Sequence, residues 1–428
     1  HATWVTRWTP GENDALPKIA WIGVEAFERA TSTRPRPLFA DCTNSVLERN
    51  DCYRDQFLYS FEHWIERLQD LRYVALLGAP GVAIGDVNGD GLEDLYVTQE
   101  DGLPNRLFIQ AADGSVQDVS EAWSVDWLDH SRGTLIVDWD NDGDQDLAVA
   151  TVGNIVLAAN EGNKGFEIRA VLPASDDTMS LSASDYDNDG DLDLYVSVYN
   201  PSGLFRDLVP LTSATALPDF VAHDANSGGS NSLFRNDAAE GDGWRFTEVT
   251  EHVGLNANNQ RASYAAAWED FDNDGDQDLY VANDFGRNNL YRNDTSEDGS
   301  VRFVDIAATA GVEDSASGMG VTWADYDRDG WMDVYVSNMF SAAGNRIAFQ
   351  AQFKADAPEA RRRLQRFARG NTLLRNRGGD SFDDVSAEAN VNVGRWAWGS
   401  NFVDLNNDGW DDLVVANGFL TTEDPGDL

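Results

Sequence analysis

Short hydrophobic runs recur in a fixed order along most of the chain. Segments such as GTLIVD, DLAVAT, GVTWAD and DVYVSN are rich in β-branched and aromatic residues and partly alternate apolar with polar positions, a pattern that predicts β-strands. From residue 82 onward each unit reads as four such strands, which in the fourth unit are YAAAWED, DLYVAND, NNLYRND and RFVDIA. The pattern therefore predicts an all-β protein built from four-stranded units.

The third and fourth strands carry recurring signatures. The third reads NRLFIQ, NSLFRND, NNLYRND and NTLLRN, the fourth reads VQDVS, RFTEVT, RFVDIA and SFDDVS, and the second unit has the more divergent NIVLAAN and GFEIRAV. Insertions at about residues 200–230 and 340–370 lengthen the third and fifth units. The spacing that remains is close to the ~40–50 residues of propeller blades. We therefore expect a β-propeller of six or seven blades.

Residues 1–80 depart from this pattern. HATWVTRW and KIAWIGVEAF have the composition of strands, and YRDQFLYSFEHWIERLQDL has helical spacing. One face of that helix would carry Phe57, Phe61, Trp64, Ile65 and Leu68. We expect residues 1–80 to form a partly helical extension and residues 81–428 to form the propeller. Because the sixth unit contains only two strands, either the extension completes it or the natural protein continues past Leu428.

A nine-residue loop joins the first and second strands of all six units. It has the pattern D-x-D/N-x-D-G-x-x-D, and its copies begin at Asp86, Asp138, Asp185, Asp270, Asp325 and Asp404. Side-chain oxygens at positions 1, 3, 5 and 9 and the carbonyl at position 7 can converge on one hard cation, while Gly at position 6 permits the sharp turn. A ligand set of oxygens alone favours Ca²⁺ over zinc or copper. The sequence therefore predicts about six Ca²⁺ sites.

The predicted ligands are Asp86, Asn88, Asp90, Leu92 and Asp94; Asp138, Asp140, Asp142, Asp144 and Asp146; Asp185, Asp187, Asp189, Asp191 and Asp193; Asp270, Asp272, Asp274, Asp276 and Asp278; Asp325, Asp327, Asp329, Trp331 and Asp333; and Asp404, Asn406, Asp408, Trp410 and Asp412. A single copy could be an ordinary Asp/Gly-rich turn, but six copies with the same acidic positions are not explained in that way. An EF-hand shares the early ligand spacing, yet it needs flanking helices and a Glu at position 12.

The composition limits the classes of binding partner and the cellular compartment that we expect. The 428 residues include 31 Lys and Arg against 74 Asp and Glu, a formal net charge of −43. Such a chain lacks the basic face that contacts with nucleic-acid phosphates require. No stretch reaches the ~18–20 apolar residues that span a bilayer, and Ca²⁺ sites of modest affinity are filled outside the cell. We therefore expect a secreted, periplasmic or cell-surface protein.

The chain has two cysteines, Cys42 and Cys52. In an oxidising compartment a disulfide that closes this short loop is the favoured interpretation, and two unrelated thiols are the alternative.

The loop, the DLYV strand and the NxLFRN and FxDVT strands resemble FG-GAP/VCBS repeats, as in the integrin α-subunit propeller. Among these, the chain is most similar to secreted bacterial proteins of the ASPIC/UnbV, cartilage-acidic-protein-like group. The resemblance covers residues 82–420. It implies a calcium-bearing β-propeller outside the cell that serves as an adhesion or interaction module for a protein or glycan, and it implies no single catalytic activity.

Strand direction places the calcium loops on one face and both insertions on the opposite face. The opposite face should also carry the connections between units, where binding function concentrates in scaffold folds. Aromatic and polar residues there would suit a glycan, or the Trp side chains simply pack between units. These tentative ligand-binding residues are Trp127, Asp129, His130, Arg132, Arg261, Arg395, Trp396 and Trp398.

Three functions remain open from the sequence. The first is a calcium-stabilised adhesion or interaction module, and the second is a carbohydrate-binding or carbohydrate-cleaving propeller whose best acid–base pair is Asp129 with His130. The third is a copper site at the amino terminus of His1. No G-x-S-x-G, H-E-x-x-H or Cys/His constellation occurs, so no catalytic residue is assigned. The basic segment APEARRRLQRFARG should dock on the chain's own acidic surface or capture a partner.

Overall fold

The computed structural model of the chain describes residues 2–9, 18–27, 39–59, 63–64, 66–67, 81–200, 224–238, 244–296 and 299–418. The chain divides into two compact units. The first comprises His1–Ala40 with Phe402–Val414, and the second comprises Asp41–Asn401 with Val415–Leu428.

The N-terminal segment contains the two strands that its composition predicts. Strands β1 (Ala2–Thr9) and β2 (Lys18–Phe27) pair antiparallel. The guanidinium of Arg7 lies over the ring of Trp21, 5.2 Å from its centroid, which is within the range of a cation–π contact. Whether this hairpin completes the sixth repeat remains a proposal.

Five four-stranded antiparallel sheets follow, each with its strands in chain order. We call them repeats 1 to 5. Repeat 1 contains β3 (Val82–Gly85), β4 (Asp94–Val97), β5 (Arg106–Gln110) and β6 (Val116–Asp118); repeat 2 contains β7 (Ser131–Val137), β8 (Asp146–Thr151), β9 (Asn154–Asn160) and β10 (Phe166–Pro173); repeat 3 contains β11 (Thr178–Ser184), β12 (Asp193–Val198), β13 (Ser232–Asn236) and β14 (Phe246–Glu248); repeat 4 contains β15 (Ala262–Glu269), β16 (Asp278–Asp284), β17 (Asn289–Asn293) and β18 (Phe303–Asp305); repeat 5 contains β19 (Gly318–Ala324), β20 (Asp333–Asn338), β21 (Thr372–Asn376) and β22 (Phe382–Asp384).

The predicted strand signatures are thus confirmed in all five sheets. A two-stranded hairpin of β23 (Ala397–Val403) and β24 (Asp412–Asn417), called repeat 6, follows them. The second strands of repeats 3, 4 and 5 are buried along their whole length. This explains why they read as nearly continuous apolar runs rather than as an alternation.

The hydrophobic core lies between neighbouring sheets. Trp139 and Leu157 of repeat 2 pack with Leu194 and Phe234 of repeat 3, and equivalent clusters join repeats 1 and 2, 3 and 4, and 4 and 5. The first strands of successive repeats also contact one another, from β3 through β7, β11 and β15 to β19. The strands β7 and β11 approach each other closely, since a Cβ atom on Gly133 would lie 2.8 Å from the Ser180 Cα. Each sheet is therefore held mainly by its neighbours.

An asparagine at the end of the third strand ties each of repeats 2 to 5 to the preceding repeat. The side-chain amide of Asn293 in repeat 4 donates to the Tyr186 carbonyl in the loop of repeat 3, at 2.9 Å. The same amide bond joins the other neighbouring pairs: Asn160 to Val87, Asn236 to Trp139 and Asn376 to Phe271. The final Asn of the third-strand signature is therefore a structural link.

Short helices occupy the connections. They are α1 (Thr43–Leu47), a π-helix at Tyr53–Phe57, a 3₁₀ turn at Gly162–Lys164, α2 (Ala307–Ala310), α3 (Ala342–Ala348) and α4 (Pro358–Phe367). Of the helix predicted over residues 53–71, the structure shows the π-helix at Tyr53–Phe57 followed by a turn at residues 58–59, and Phe61, Ile65 and Leu68 lie outside the described residues. Helices α3 and α4 form the second predicted insertion, whereas residues 201–223 of the first insertion also lie outside the described residues.

The predicted disulfide is wrong. Cys42 is exposed, Cys52 is buried, and their sulfur atoms are not bonded to each other. The Cys52 side chain instead faces the outer strand of repeat 1, where burial and a hydrogen bond to Asp118 raise the pKa of its thiol to about 12. The segment is anchored there by Asn50, whose side chain bonds the Val116 carbonyl and the Asp118 amide at 3.0 and 2.8 Å. Hydrogen bonds from the Asn50 side chain to the backbone of β6 therefore hold this segment in place of the expected covalent closure.

We expect Asn293→Ala to destabilise the protein by about 1–3 kcal/mol, because the Tyr186 carbonyl would be left buried without its donor. Chemical denaturation in saturating calcium measures this loss. The matched control is Asn256→Ala, since Asn256 is an exposed turn residue. Equal unfolding free energies for the two variants would contradict the assigned role of Asn293.

Candidate metal centres and the opposite face

Backbone amides hold the carboxylates of each loop in a fixed arrangement. In loop 4 the Asp270 carboxylate accepts from the backbone nitrogens of Asp274 and Gly275, both at 3.0 Å. Asp274 accepts from the backbone nitrogen of Asp276, also at 3.0 Å. The Gly at position 6 has φ between +83° and +98° in all six loops, a region that a side chain resists. The motif thus folds into a turn with its acidic groups inward.

The ninth residue joins the loop to its sheet. One Asp278 oxygen accepts from the Phe271 backbone nitrogen at 3.2 Å, and the other accepts from the Asn293 nitrogen on the third strand at 2.7 Å. The equivalent pairs form at Asp94, Asp146, Asp193 and Asp333. This residue is therefore both a predicted ligand and part of the sheet.

Four loops bring three carboxylates together at positions 1, 3 and 9. Within each triad the oxygens lie within 4.8 Å of one another, so each triad could hold a metal ion. The triads are Asp138, Asp140 and Asp146; Asp185, Asp187 and Asp193; Asp270, Asp272 and Asp278; and Asp325, Asp327 and Asp333. Loops 1 and 6 carry Asn88 and Asn406 at position 3 and so have one carboxylate fewer.

Unpaired oxygens in these loops fit a bound cation. The Oδ1 atoms of Asp187, Asp272 and Asp327, all at position 3, are buried and have no hydrogen-bond partner among the described residues. The same holds for Asp138 and Asp144 in loop 2. A buried anionic oxygen without a donor is costly. An all-oxygen shell of this kind suits a hard divalent ion such as Ca²⁺.

Burial and mutual repulsion make these carboxylates hard to ionise without a cation. Burial, with neighbouring carboxylates adding to it, raises the pKa of Asp193 and of Asp278 to about 8. The pKa of Asp146 and of Asp333 rises to about 7 for the same reasons. Arginines on the third strands moderate the effect, since Arg235 and Arg292 act to lower the pKa of the position-3 residues Asp187 and Asp272.

The residue at position 4 of the acidic loop was not among the residues predicted from the sequence. Asn141, Asn188, Asn273, Arg328 and Asn407 have φ between +57° and +63° there. Three of the Asn side chains reach the next loop: Asn141 donates to the Gly190 carbonyl and to Asp191, Asn188 to Asp276, and Asn273 to the Gly330 carbonyl. The recurrence of Asn at position 4 in four of six loops was the available signal.

On the opposite face, the His130 ring lies between Glu100 and Arg132. Its Nδ1 lies 3.0 Å from a Glu100 oxygen, and its Nε2 accepts from the Arg132 Nε at 2.9 Å. Arg132 in turn forms an ion pair with Asp177. The ring is buried, with Nδ1 beside the Glu100 carboxylate and Nε2 bonded to Arg132. This arrangement gives His130 the role of orienting Arg132, and its acid–base pairing with Asp129 stays a prediction.

The other tentative ligand-binding residues lie at separate places in the structure. Arg261 is only 2% exposed and donates to the carbonyls of Arg287 and Asn288, so it supports a connection. Trp127 is half-buried against the core between repeats 1 and 2. Arg395 and Trp396 lie next to β23, where their carbonyls accept from the backbone nitrogens of Phe340 and Gly418.

Trp398 belongs to an aromatic cluster that the sequence did not indicate. The Tyr264 ring contacts the rings of Trp398 and Tyr199, with centroids 6.0 and 5.8 Å apart. The Tyr199 hydroxyl donates to Asp284 at 2.7 Å. Burial raises the pKa of Asp284 to about 6, and its Oδ1 has no hydrogen-bond partner within the described part of the chain. Half-exposed rings thus lie beside a buried acid.

The basic insertion docks on acidic groups, as one of the two interpretations predicted. Arg363 of α4 pairs with Asp224, at the end of the first insertion, and Arg366 pairs with the buried Asp314. Arg287 of repeat 4 bonds the other Asp224 oxygen at 2.9 Å. The Phe285 and Phe367 rings stack 5.9 Å apart. The two insertions therefore meet on the same face of the sheets.

Comparison with known families identifies repeats in this chain. Residues 86–149, 138–196 and 270–336 match the FG-GAP-like repeat, and each match contains two of the acidic loops. FG-GAP-like repeats therefore occupy residues 86–196 and 270–336 of this chain. No curated protein is significantly similar to the sequence.

Two solved structures are distantly similar. An Agrocybe aegerita lectin that recognises non-reducing terminal N-acetylglucosamine is 14% identical, with 79% of this chain and 74% of that chain covered and a TM-score of 0.42. The V. cholerae biofilm matrix protein Bap1 is 11% identical, with 73% of this chain and 39% of that chain covered and a TM-score of 0.36. No helix among the described residues is long and apolar enough to cross a membrane.

The raised pKa values predict that the stability depends more strongly on pH when calcium is removed. In chelator, an Asp with a folded-state pKa of about 7–8 binds its proton more tightly than in the unfolded chain. Its stabilising effect is therefore lost as the pH rises from about 5 to 8. We expect the melting temperature in chelator to fall over that range and the curve in millimolar Ca²⁺ to be flatter. Parallel curves would contradict this.

Proposed function

We propose that the chain is an extracellular β-propeller that acts as a protein or glycan interaction module, with all six acidic loops bound to Ca²⁺ as a structural brace. The single observation that carries the calcium assignment is the set of buried position-3 oxygens that have no donor. The predicted shell comprises positions 1, 3, 5 and 9 with the position-7 carbonyl. In loops 1 and 6 the Asn oxygen takes the place of the third carboxylate.

The binding surface is assigned to the face opposite the calcium loops. Each calcium loop is fixed by its own backbone bonds and by its neighbours, so it has little freedom to vary for a partner. The opposite face carries both insertions, which are longer than the usual 2–6-residue connections. The ion pairs of Asp224 with Arg363 and Arg287 hold them together. Long ordered loops on a rigid scaffold are commonly functional.

A saccharide ligand is the second candidate, and the aromatic cluster favours it. Tyr199, Tyr264 and Trp398 offer ring faces, while Asp284 offers a carboxylate oxygen without a donor. Sugar rings stack on aromatic side chains and donate hydroxyl protons to such acids. The carbohydrate-cleaving alternative has less support, because the buried His130 lies between Glu100 and Arg132. Copper binding rested on His1, which lies outside the described residues.

We expect chelation to lower the melting temperature sharply and millimolar Ca²⁺ to restore it better than Mg²⁺. Metal that binds only the folded state adds RT ln(1 + [L]/Kd) for each site, and the small octahedral shell of Mg²⁺ suits these loops poorly. Differential scanning fluorimetry with buffered metal gives the comparison. Identical melting curves in chelator and in calcium would show that the loops are not calcium sites.

Two variants test which face binds. Deleting residues 342–368 should abolish binding while calcium-dependent melting is retained, because the insertion lies away from the loops. The double variant Asp274→Asn with Asp278→Asn should lose stability yet keep its affinity at temperatures where it is folded. Glycan-array binding and capture of extracellular proteins provide the readouts. The variant Tyr264→Ala tests the saccharide alternative, because it removes the central ring of the aromatic cluster. Normal binding by the deletion variant, with none by the folded loop variant, would place calcium itself in the binding site.

A further inference from the structure

We infer that loops 2 to 5 bind Ca²⁺ as one coupled array, in which occupancy of one loop raises the affinity of its neighbours. The inference rests on the proposed calcium sites and adds a property that a single site lacks. Such an array would convert a modest change in calcium concentration into a large change in the order of the module.

A forward link joins each of these loops to the next. The Asn188 side chain in loop 3 donates to the Asp276 carboxylate in loop 4 at 3.1 Å. Asn141 makes the equivalent bonds from loop 2 to loop 3, and Asn273 makes one from loop 4 to loop 5. Each Asn stands at position 4, between the predicted ligands at positions 3 and 5. A cation that draws those ligands together therefore also fixes the donor to the neighbouring loop.

A backward link returns from each loop to the preceding one. The Asp278 carboxylate, at position 9 of loop 4, accepts from the backbone nitrogen of Asn293 at 2.7 Å. The Asn293 amide donates to the Tyr186 carbonyl of loop 3, and the Tyr186 nitrogen donates to Asp193, at position 9 of loop 3, at 3.2 Å. One asparagine thus connects predicted ligands of two sites. Asn236 and Asn376 connect loops 3 with 2 and 5 with 4.

Calcium binding provides the free energy that orders one loop, and the hydrogen-bonded links make the order of neighbouring loops depend on it. Without a cation, the carboxylates of a triad repel one another and the loop gains by spreading, which breaks the bonds to its neighbours. Once one loop is ordered, the adjacent loop has less conformational freedom left to lose when it binds. Coupling between sites is reciprocal and typically changes affinity by about 5–150-fold.

The asparagine forward link occurs from loop 2 to loop 5 in the described part of the chain. Position 4 of loop 1 is Gly89, which has no side chain, so loop 1 shares only the backward link from Asn160 to Val87. In loop 5 position 4 is Arg328. The Asn407 side chain in loop 6 has no hydrogen-bond partner among the described residues. Loops 1 and 6 are therefore expected to titrate apart from the array.

Hydrogen exchange measured by mass spectrometry resolves each loop in a calcium titration of the whole chain. In the wild-type protein we expect peptides over loops 2 to 5 to become protected together, with a Hill coefficient of about 2 or more. In Asn188→Gly we expect the midpoints of loops 2 and 3 to separate from those of loops 4 and 5 by about fivefold or more. Gly is the suitable replacement because Gly89 occupies the same position with φ +71°.

The matched control is Asn407→Gly, which removes the same amide where it has no neighbour and should leave the array unchanged. If Asn188→Gly does not fold in saturating calcium, Asn141→Gly makes the equivalent test by releasing loop 2 from loops 3 to 5. Hill coefficients of about 1 in the wild-type protein, or coincident midpoints in the folded variants, would overturn the coupling. Calcium-independent protection in every loop would instead refute the proposed calcium sites.

Discussion

Repulsion between convergent carboxylates is the constraint on which this fold depends. In four loops three acidic side chains lie with oxygens within 4.8 Å, on a chain whose formal charge is −43. The loops are part of the sheets, because the ninth residue of each of loops 1 to 5 also accepts a hydrogen bond from a backbone nitrogen of the third strand. Whatever neutralises the triads therefore acts directly on the sheets.

The sheets have few means of support other than their neighbours. Their cores lie between adjacent repeats, and the third-strand asparagines bond the loop of the preceding repeat. In this respect the chain behaves like other repeat proteins, in which stability is shared between each unit and the next. Side-chain amides link each of loops 2 to 4 to the next loop, and third-strand asparagines link repeats 2 to 5 to the preceding loop. The face opposite the calcium loops does not contain these links, and it holds the insertions and the aromatic cluster.

Local pattern was sufficient for the strands and for the acidic loops. Runs such as DLYVAND differ in period and composition from the loops, and Gly at position 6 fixes the turn, so both could be predicted from the sequence alone. Contacts between distant segments could not. Glu100 reaches His130, Asp224 reaches Arg363, and Asn188 reaches Asp276, and none of these pairs has a spacing that indicates contact. The disulfide failed for the same reason, since Cys52 faces Asp118 on a strand more than 60 residues away.

A structure of the protein crystallised in saturating calcium tests the central claim most directly. The account predicts metal density within each triad, with oxygen ligands at about 2.3–2.6 Å from positions 1, 3, 5 and 9 and from the position-7 carbonyl. It also predicts that the Oδ1 atoms of Asp187, Asp272 and Asp327 face the ion. Carboxylates turned outward to solvent, with no metal between them at that calcium concentration, would contradict it.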